Sequence, residues 1–145
     1  MTIFFDLDGT IADLYGVENW LYYLENSNTY PYAMARPMID FRHLARLLNK
    51  LQTNGYRIGV ITWLSKGGTT EYNDSVRRTK KQWLAKHLPS VVWDEVHMVR
   101  YGTPKNRYAK ATSDILFDDE LRNREKWSGR AYEPSDIISV LESLL

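Results

Sequence analysis

The sequence predicts an α/β fold with a Rossmann-like parallel sheet, and two patterns carry this prediction. Short apolar runs of strand length alternate with amphipathic segments of helix length along the 145 residues. Such alternation is typical of a parallel sheet with helices on both faces. We therefore expect one domain over residues 1–145. An aromatic-rich insertion at about 14–38 would form only a small cap or none.

The first part of the chain contains two predicted strands and two predicted helices. Apolar residues between Leu14 and Leu24 have helical spacing, and an Asn-Ser-Asn cluster ends that helix. The segment containing Pro31 and Pro37 is predicted to be a loop. The other elements expected here are a strand at Thr2–Leu7, a helix from Phe41 to Asn54, and a buried strand at Tyr56–Thr62.

The second part of the chain repeats the alternation. A long helix with Tyr72, Val76 and Trp83 on one face ends near Leu88, just before a proline. The amphipathic pattern from Ile137 onward predicts the final helix. Between them we expect strands at Glu95–Val99, Asp114–Asp118 and Gly129–Tyr132, a short basic helix at Lys105–Ala111, and a polar helical turn after the second of these strands.

Composition excludes several classes of protein. Hydrophobic residues at 43% and charged residues at 26% are ordinary globular values, which argues against a disordered or fibrous chain. The chain has 19 basic and 18 acidic side chains, so no overall field attracts nucleic acid or a membrane surface. The absence of cysteine excludes disulfides and thiolate metal sites. We expect a cytoplasmic protein with no signal peptide and no membrane span.

Two carboxylates follow the first predicted strand at a spacing of two residues. On an extended chain, residues i and i+2 point to the same side, so Asp6 and Asp8 could converge on one point. Like charges at such a distance need a cation or a shared proton, and Mg²⁺ prefers oxygen ligands of this kind. Spacing alone is equally consistent with a polar strand end followed by an Asp-Gly turn.

Other predicted strands also end in residues suited to phosphate or metal. Thr62 ends the second strand, Asp118 and Asp119 end the fourth, and Lys105 follows the third. In an open α/β sheet, ligands bind beyond the carboxyl ends of the strands. Each residue also has a simpler interpretation, because Lys105 fits a solvated basic helix face and the two aspartates fit a helix start.

The order of these residues resembles the haloacid dehalogenase (HAD) superfamily of phosphatases. The hexapeptide at Phe5–Thr10, FDLDGT, resembles motif I of that superfamily. Thr62, Lys105 and the pair of Asp118 and Asp119 then resemble motifs II, III and IV in the same order. The resemblance covers nearly the whole chain, and it is much more specific than any one motif.

This resemblance implies a role for each motif residue. Asp6 would be the nucleophile that forms an aspartyl-phosphate, and Asp8 the general acid and base. Thr62 would bind a phosphoryl oxygen, and Lys105 would neutralise charge on the phosphoryl group. Mg²⁺ would be the cofactor, and its ligands would be the Asp6 carboxylate, the Asp8 backbone carbonyl, and the pair Asp118 and Asp119, with Asp119 as the direct ligand.

Within the superfamily, the segment from Val76 to Pro89 and the later acidic motif resemble the 5′(3′)-deoxyribonucleotidase branch. That branch implies a small phosphorylated substrate, a nucleoside or deoxynucleoside monophosphate. Aromatic side chains near motif I could stack on its base, although they could equally close the core. The expected substrate-binding residues are Thr10, Tyr15, Trp20, Tyr32, Phe41 and Trp63.

Two alternatives to a nucleotidase remain at this point. A polynucleotide end (3′) phosphatase would use basic clusters to bind a nucleic-acid backbone, although the near-zero net charge argues against it. A non-catalytic phosphate-binding module with the HAD fold is disfavoured, because every expected catalytic side chain is present. The basic residues available to the end phosphatase are Arg77, Arg78, Lys80, Lys81, Arg122, Arg124 and Lys126.

Overall fold

A computed structural model describes all residues, 1–145. Its main feature is a five-stranded parallel sheet with the strand order β5-β4-β1-β6-β7, accompanied by a two-stranded antiparallel ribbon, β2-β3. The elements are β1 (Thr2–Phe5), β2 (Ala12–Asp13), α1 (Trp20–Glu25), α2 (Tyr30–Met34), β3 (Arg36–Pro37), α3 (Phe41–Thr53), β4 (Arg57–Trp63), α4 (Thr70–His87), β5 (Glu95–Val99), a 3₁₀ turn (Lys105–Tyr108), β6 (Ile115–Phe117), α5 (Leu121–Lys126), β7 (Arg130–Tyr132), a second 3₁₀ turn (Pro134–Asp136) and α6 (Ile137–Ser143).

Strand β1 lies at the centre of the sheet and pairs with β4 on one side and β6 on the other. Ile3 is in register with Ile58 of β4 and with Ile115 of β6. All three strands run in the same direction, so their carboxyl ends meet at one edge of the sheet. The residues that follow β1, β4 and β6 are therefore neighbours in space.

The side chains of β1 alternate between two hydrophobic clusters, as the period of a strand requires. Ile3 and Phe5 belong to the larger cluster, which includes residues of α3, α4 and α6. Phe4 belongs to a smaller cluster on the opposite face, together with Leu116 and Trp127. The parallel sheet with helices on both faces confirms the predicted fold class. None of the helices has the combination of length and apolar character needed to cross a membrane.

Helix α3 illustrates how the sequence specifies an element and its packing. The carboxylate of Asp40 accepts hydrogen bonds from the backbone amides of Arg42 and His43, and this caps the amino end. After the helix, Gly55 has φ +95°, a left-handed conformation that glycine adopts without strain. The buried stripe that holds α3 against the sheet consists of Leu44, Leu47, Leu48 and Leu51.

The insertion after β1 differs from its prediction. Helix α1 begins only at Trp20, and a second short helix, α2, occupies part of the predicted loop. Pro31 lies in the first turn of α2, where a missing amide proton removes no helical hydrogen bond. Two long-range hydrogen bonds fix the insertion to α4: Tyr72 Oη donates to the Asn28 carbonyl at 2.9 Å, and Trp83 Nε1 donates to the Ala35 carbonyl at 2.8 Å.

Strand β1 is also shorter than predicted, because it ends at Phe5 and not at Leu7. The carbonyl of Leu7 accepts hydrogen bonds from the amides of Thr10, Ile11 and Ala12 at 2.9–3.1 Å. The chain therefore turns immediately after Leu7. This compact turn positions Asp6 and Asp8 at the edge of the sheet.

We expect Leu48→Ala to lower the free energy of unfolding by about 2–5 kcal/mol, because Leu48 is fully buried and its truncation leaves a cavity. Urea unfolding monitored by circular dichroism measures this change. The matched control is Leu121→Ala, since Leu121 is 59% exposed and should lose no more than about 0.5 kcal/mol. Equal losses in the two variants would contradict the described packing.

Candidate active site

A cavity of about 400 Å³ opens at the carboxyl edge of the sheet, where β1, β4 and β6 end. The turn after β1 contributes Asp6 and Asp8, and the residue after β6 is Asp118. The insertion forms one side of the opening. The expected site residues that line this cavity are Asp6, Asp8, Tyr15, Trp20, Tyr32, Trp63, Lys105, Asp118 and Asp119.

Three carboxylates converge at the floor of the cavity. Asp6, Asp118 and Asp119 each offer one oxygen, and these oxygens lie within 4.8 Å of one another. Burial, followed by the charge of Asp6, raises the pKa of Asp118 to about 6 and that of Asp119 to about 7. Carboxylates at this distance repel each other unless a cation joins them. An all-oxygen donor set of this size suits a hard divalent cation such as Mg²⁺.

Lys105 lies beneath this group and contacts two of its members. Its Nζ donates to Asp6 Oδ1 at 2.9 Å and to Asp118 Oδ2 at 2.7 Å, and the lysine is 3% exposed. Burial by itself lowers the pKa of Lys105, but the two carboxylates outweigh burial and raise it. The lysine is therefore charged at neutral pH. Asn123 Nδ2 also donates to Asp118 Oδ2, at 3.1 Å.

Thr10 is fully buried and does not line the cavity, contrary to its expected role in binding substrate. Its hydroxyl donates to Asp6 Oδ2 at 2.9 Å, and it accepts a hydrogen bond from the backbone amide of Asp119 at 3.2 Å. Thr10 thus joins the segments after β1 and β6. Gly9, with φ +80°, passes so close to the Asp119 carboxylate that a side chain there would collide with it.

The carboxylate of Asp8 has a different partner, Lys80 of α4. Lys80 Nζ donates to Asp8 Oδ2 at 2.9 Å, to Thr62 Oγ1 at 2.8 Å and to the Trp63 carbonyl at 2.8 Å. Burial is the main cause that raises the pKa of Asp8, and the positive charge of Lys80 opposes it. Thr62 is fully buried and does not line the cavity, where it was expected to bind a phosphoryl oxygen, and its hydroxyl accepts the hydrogen bond from Lys80.

This role of Lys80 differs from the expectation from sequence, in which Lys80 is one of the surface cations that could bind a nucleic-acid backbone. Lys80 is only 2% exposed, so it is not available for that purpose. A signal was present in the sequence. Lys80 follows Val76 by four residues and precedes Trp83 by three, which places it on the apolar face of α4. A lysine at a core position needs a buried partner.

Aromatic side chains of the insertion form one wall of the cavity. The rings of Tyr15 and Trp20 meet edge to face, with centroids 4.9 Å apart. Tyr32 is 5% exposed, and Lys80 Nζ lies 5.1 Å from the centre of its ring. Burial, with the negative charge of Asp8 next in importance, raises the pKa of both Tyr15 and Tyr32, so these hydroxyls stay neutral.

Phe41 is not part of this wall, although its sequence position predicts a substrate-binding residue. It is the first residue of α3 and packs edge to face against Trp83, with ring centroids 5.6 Å apart. It also lies 6.3 Å from the ring of His87. Phe41 therefore closes the core between α3 and α4 and does not reach the cavity.

Neither a protein-family model nor a curated protein matches the chain. Among solved structures, the chain is similar to a D,D-heptose 1.7-bisphosphate phosphatase from B. bronchiseptica complexed with magnesium and phosphate. The two share 12% sequence identity with a TM-score of 0.55, over 99% of this chain and 97% of the other. The similarity shows a common Rossmann-like α/β fold.

We expect Lys80→Met to lower the free energy of unfolding by about 3–5 kcal/mol at pH 8, because it leaves the Asp8 carboxylate without its buried partner. Without Lys80 the pKa of Asp8 rises further. Lowering the pH then protonates Asp8 and removes the uncompensated charge, so the difference from the wild type shrinks as the pH falls. Urea unfolding of the metal-free protein across this pH range measures the effect.

The double variant Asp8→Asn, Lys80→Met is the control for this experiment. It removes both charges, so most of the stability lost in Lys80→Met should return. A double variant as unstable as the single one, or a loss that does not change with pH, would show that the two side chains do not form the described pair.

Proposed function

We propose that the chain is a Mg²⁺-dependent phosphomonoesterase of the HAD superfamily that works through an aspartyl-phosphate on Asp6. The observation that carries this proposal is the separation of two charge systems in one cavity. Asp6 shares Lys105 with Asp118, whereas Asp8 is bound by Lys80. Adjacent carboxylates in different environments are suited to different roles, one as nucleophile and the other as acid and base.

The residues present fit a magnesium ion, and the structurally similar phosphatase was crystallised with magnesium and phosphate. The Asp6 carboxylate, the Asp8 backbone carbonyl and the Asp119 carboxylate would hold the ion directly. Asp118 is engaged by Lys105 and Asn123, so it would act through water. When bound, Mg²⁺ supplies positive charge that keeps Asp6 ionised and offsets the charge of the phosphoryl group.

Asp6 is held in place for attack on phosphorus. Thr10 donates to one carboxylate oxygen and Lys105 to the other, so the side chain cannot rotate freely. In the first step an Asp6 oxygen forms a bond to phosphorus as the bond to the leaving oxygen breaks. The positive charge of Lys105 stabilises the charge that spreads over the phosphoryl oxygens.

Asp8 completes both steps by moving one proton. Burial raises its pKa, which favours the protonated form that an acid needs, and Lys80 fixes the orientation of its carboxylate. Asp8 gives its proton to the leaving oxygen in the first step. In the second step it takes a proton from the water that attacks the aspartyl-phosphate. This regenerates Asp6 and releases phosphate.

We propose a nucleoside or deoxynucleoside monophosphate as the substrate class. A cavity of about 400 Å³ has room for a nucleoside beside the reacting phosphate. The apolar wall could cover a base: Trp20, Leu21 and Leu24 of α1 line the cavity. Stacking of a base on an aromatic ring contributes about 1–3 kcal/mol.

Asp6→Asn should lower magnesium-dependent phosphate release at least about 1,000-fold, because the amide is a poor nucleophile. The assay compares nucleoside monophosphates, sugar phosphates and 3′-phosphorylated oligonucleotides, with magnesium and with a chelator. Asp74→Asn, on the exposed face of α4, is the matched control and should keep full activity. Full activity of Asp6→Asn would rule out the mechanism. No release by the wild type from any substrate would favour a phosphate-binding module.

Trp20→Ala should raise the KM for nucleoside monophosphates about tenfold, since a stacking surface is lost. The KM for a small aryl phosphate should change less, because that compound extends less far along the wall. Tyr22→Ala is the control: Tyr22 lies on the same helix, is 64% exposed and does not line the cavity. Equal effects of Trp20→Ala on both substrates would contradict base stacking.

A further inference from the structure

A second group of charged side chains lies on the side of the cavity formed by β4 and the segment after β5. At its centre lies the indole ring of Trp63. Trp63 Nε1 donates a hydrogen bond to the Thr103 carbonyl at 2.8 Å, and this bond holds the ring in place. Lys105 Nζ lies 5.3 Å from the centre of this ring, and the Arg122 guanidinium lies 4.6 Å from it. Trp63 thus connects the lysine of the reaction centre to a cation outside it.

Tyr101 extends this group along the opening. Its ring centroid is 4.9 Å from that of Trp63, and Arg122 lies 5.8 Å from the centre of the Tyr101 ring. Lys66 Nζ lies 5.6 Å from the centre of the same Tyr101 ring. We call Trp63, Lys66, Tyr101 and Arg122 the cationic rim. Three of the four line the cavity, and Arg122 covers two of their rings.

The cationic rim has hydrogen-bond donors that no protein group uses. Lys66 Nζ makes no hydrogen bond or ion pair. Arg122 donates from Nε to Glu120 Oε2 at 2.6 Å and from Nη2 to Tyr101 Oη at 3.3 Å, which leaves Nη1 free. The two buried lysines are already paired with carboxylates: Lys80 donates to Asp8 and two other oxygens, and Lys105 donates to Asp6 and Asp118. The exposed cations beside the cavity are therefore Lys66 and Arg122 of the rim.

We infer that the cationic rim binds a second phosphate group, carried on the leaving-group side of the substrate. This inference rests on the proposed function, because it places the reacting phosphate at Asp6. The Arg122 guanidinium lies over the Trp63 ring, and its planar fork of donors matches the oxygens of a phosphate. Because Arg122 and Lys105 both lie close to the Trp63 ring, we place the base on the α1 wall and not on Trp63.

A second phosphate on the rim restricts the proposed substrates to two kinds of nucleotide. One kind has two phosphate groups on one sugar, and the other has a phosphodiester next to the nucleotide that carries the reacting phosphate. In both cases the reacting phosphate lies at the floor, the base lies along the α1 wall and the second phosphate lies on the rim. Glu120 limits the strength of the rim, because its carboxylate neutralises part of the Arg122 charge.

The test compares kcat/KM for a nucleoside 5′-monophosphate with that for the corresponding nucleoside 3′,5′-bisphosphate, both with magnesium. The bisphosphate should be preferred. Lys66→Gln and Arg122→Gln should each lower this preference about fivefold, and Glu120→Gln should raise it about threefold. The preference should also weaken as salt increases, since these groups are exposed. Lys50→Gln, at an exposed position of α3, is the matched control and should leave the preference unchanged.

A dinucleotide with a 5′-phosphate is the third substrate in this test. It shows whether the second phosphate on the rim is a phosphodiester or a second phosphate group on the same sugar. If kcat/KM is higher for the dinucleotide than for the bisphosphate, and the same variants lower it, the rim binds a phosphodiester. If kcat/KM is higher for the bisphosphate, the rim binds a small bisphosphorylated nucleotide.

The experiment distinguishes failure of the inference about the rim from failure of the proposed function. Turnover of all three compounds with a preference that Lys66→Gln and Arg122→Gln do not change would overturn the inference while leaving the proposed function intact. No phosphate release from any of them would overturn the proposed function, and with it the placement on which the rim depends.

Discussion

Burial of several carboxylates at one edge of the sheet is the constraint on which the site depends. Asp6 and Asp118 are almost inaccessible to solvent, and Asp119 lies against them. Such a group is unfavourable unless cations are built into the fold. Lys105 supplies one of these cations from the turn after β5. Burial, followed by repulsion from Asp6, raises the pKa of Asp118 and Asp119, and a divalent cation would relieve this repulsion.

A second buried lysine gives Asp8 a different cation from the one that pairs with Asp6. Lys80 reaches Asp8 from a helix that packs on the sheet, so the charge of Asp8 is balanced separately from that of Asp6. The same helix donates the hydrogen bonds that fix the insertion, from Tyr72 and Trp83. The position of the aromatic wall and the orientation of the Asp8 carboxylate therefore depend on one element, α4.

Much of the floor of the site could be predicted from the sequence, because the ends of parallel strands meet at one edge. Asp6, Asp118 and Lys105 converge for that reason. Thr10, Phe41 and Lys80 were assigned to the wrong surroundings, since the sequence gives the period of an element but not what packs against each of its faces. The rim around Arg122 depends on contacts between distant segments, which no local pattern indicates.

The central claim is that Asp6 becomes covalently phosphorylated during turnover. Its most direct test is to mix the protein with magnesium and substrate, quench with acid within the first turnover, and analyse intact mass and peptides by mass spectrometry. We expect one added phosphoryl group on the peptide containing Asp6 and Asp8, located on Asp6 and absent from Asp6→Asn. Turnover without an adduct, or an adduct on any other residue, would contradict it.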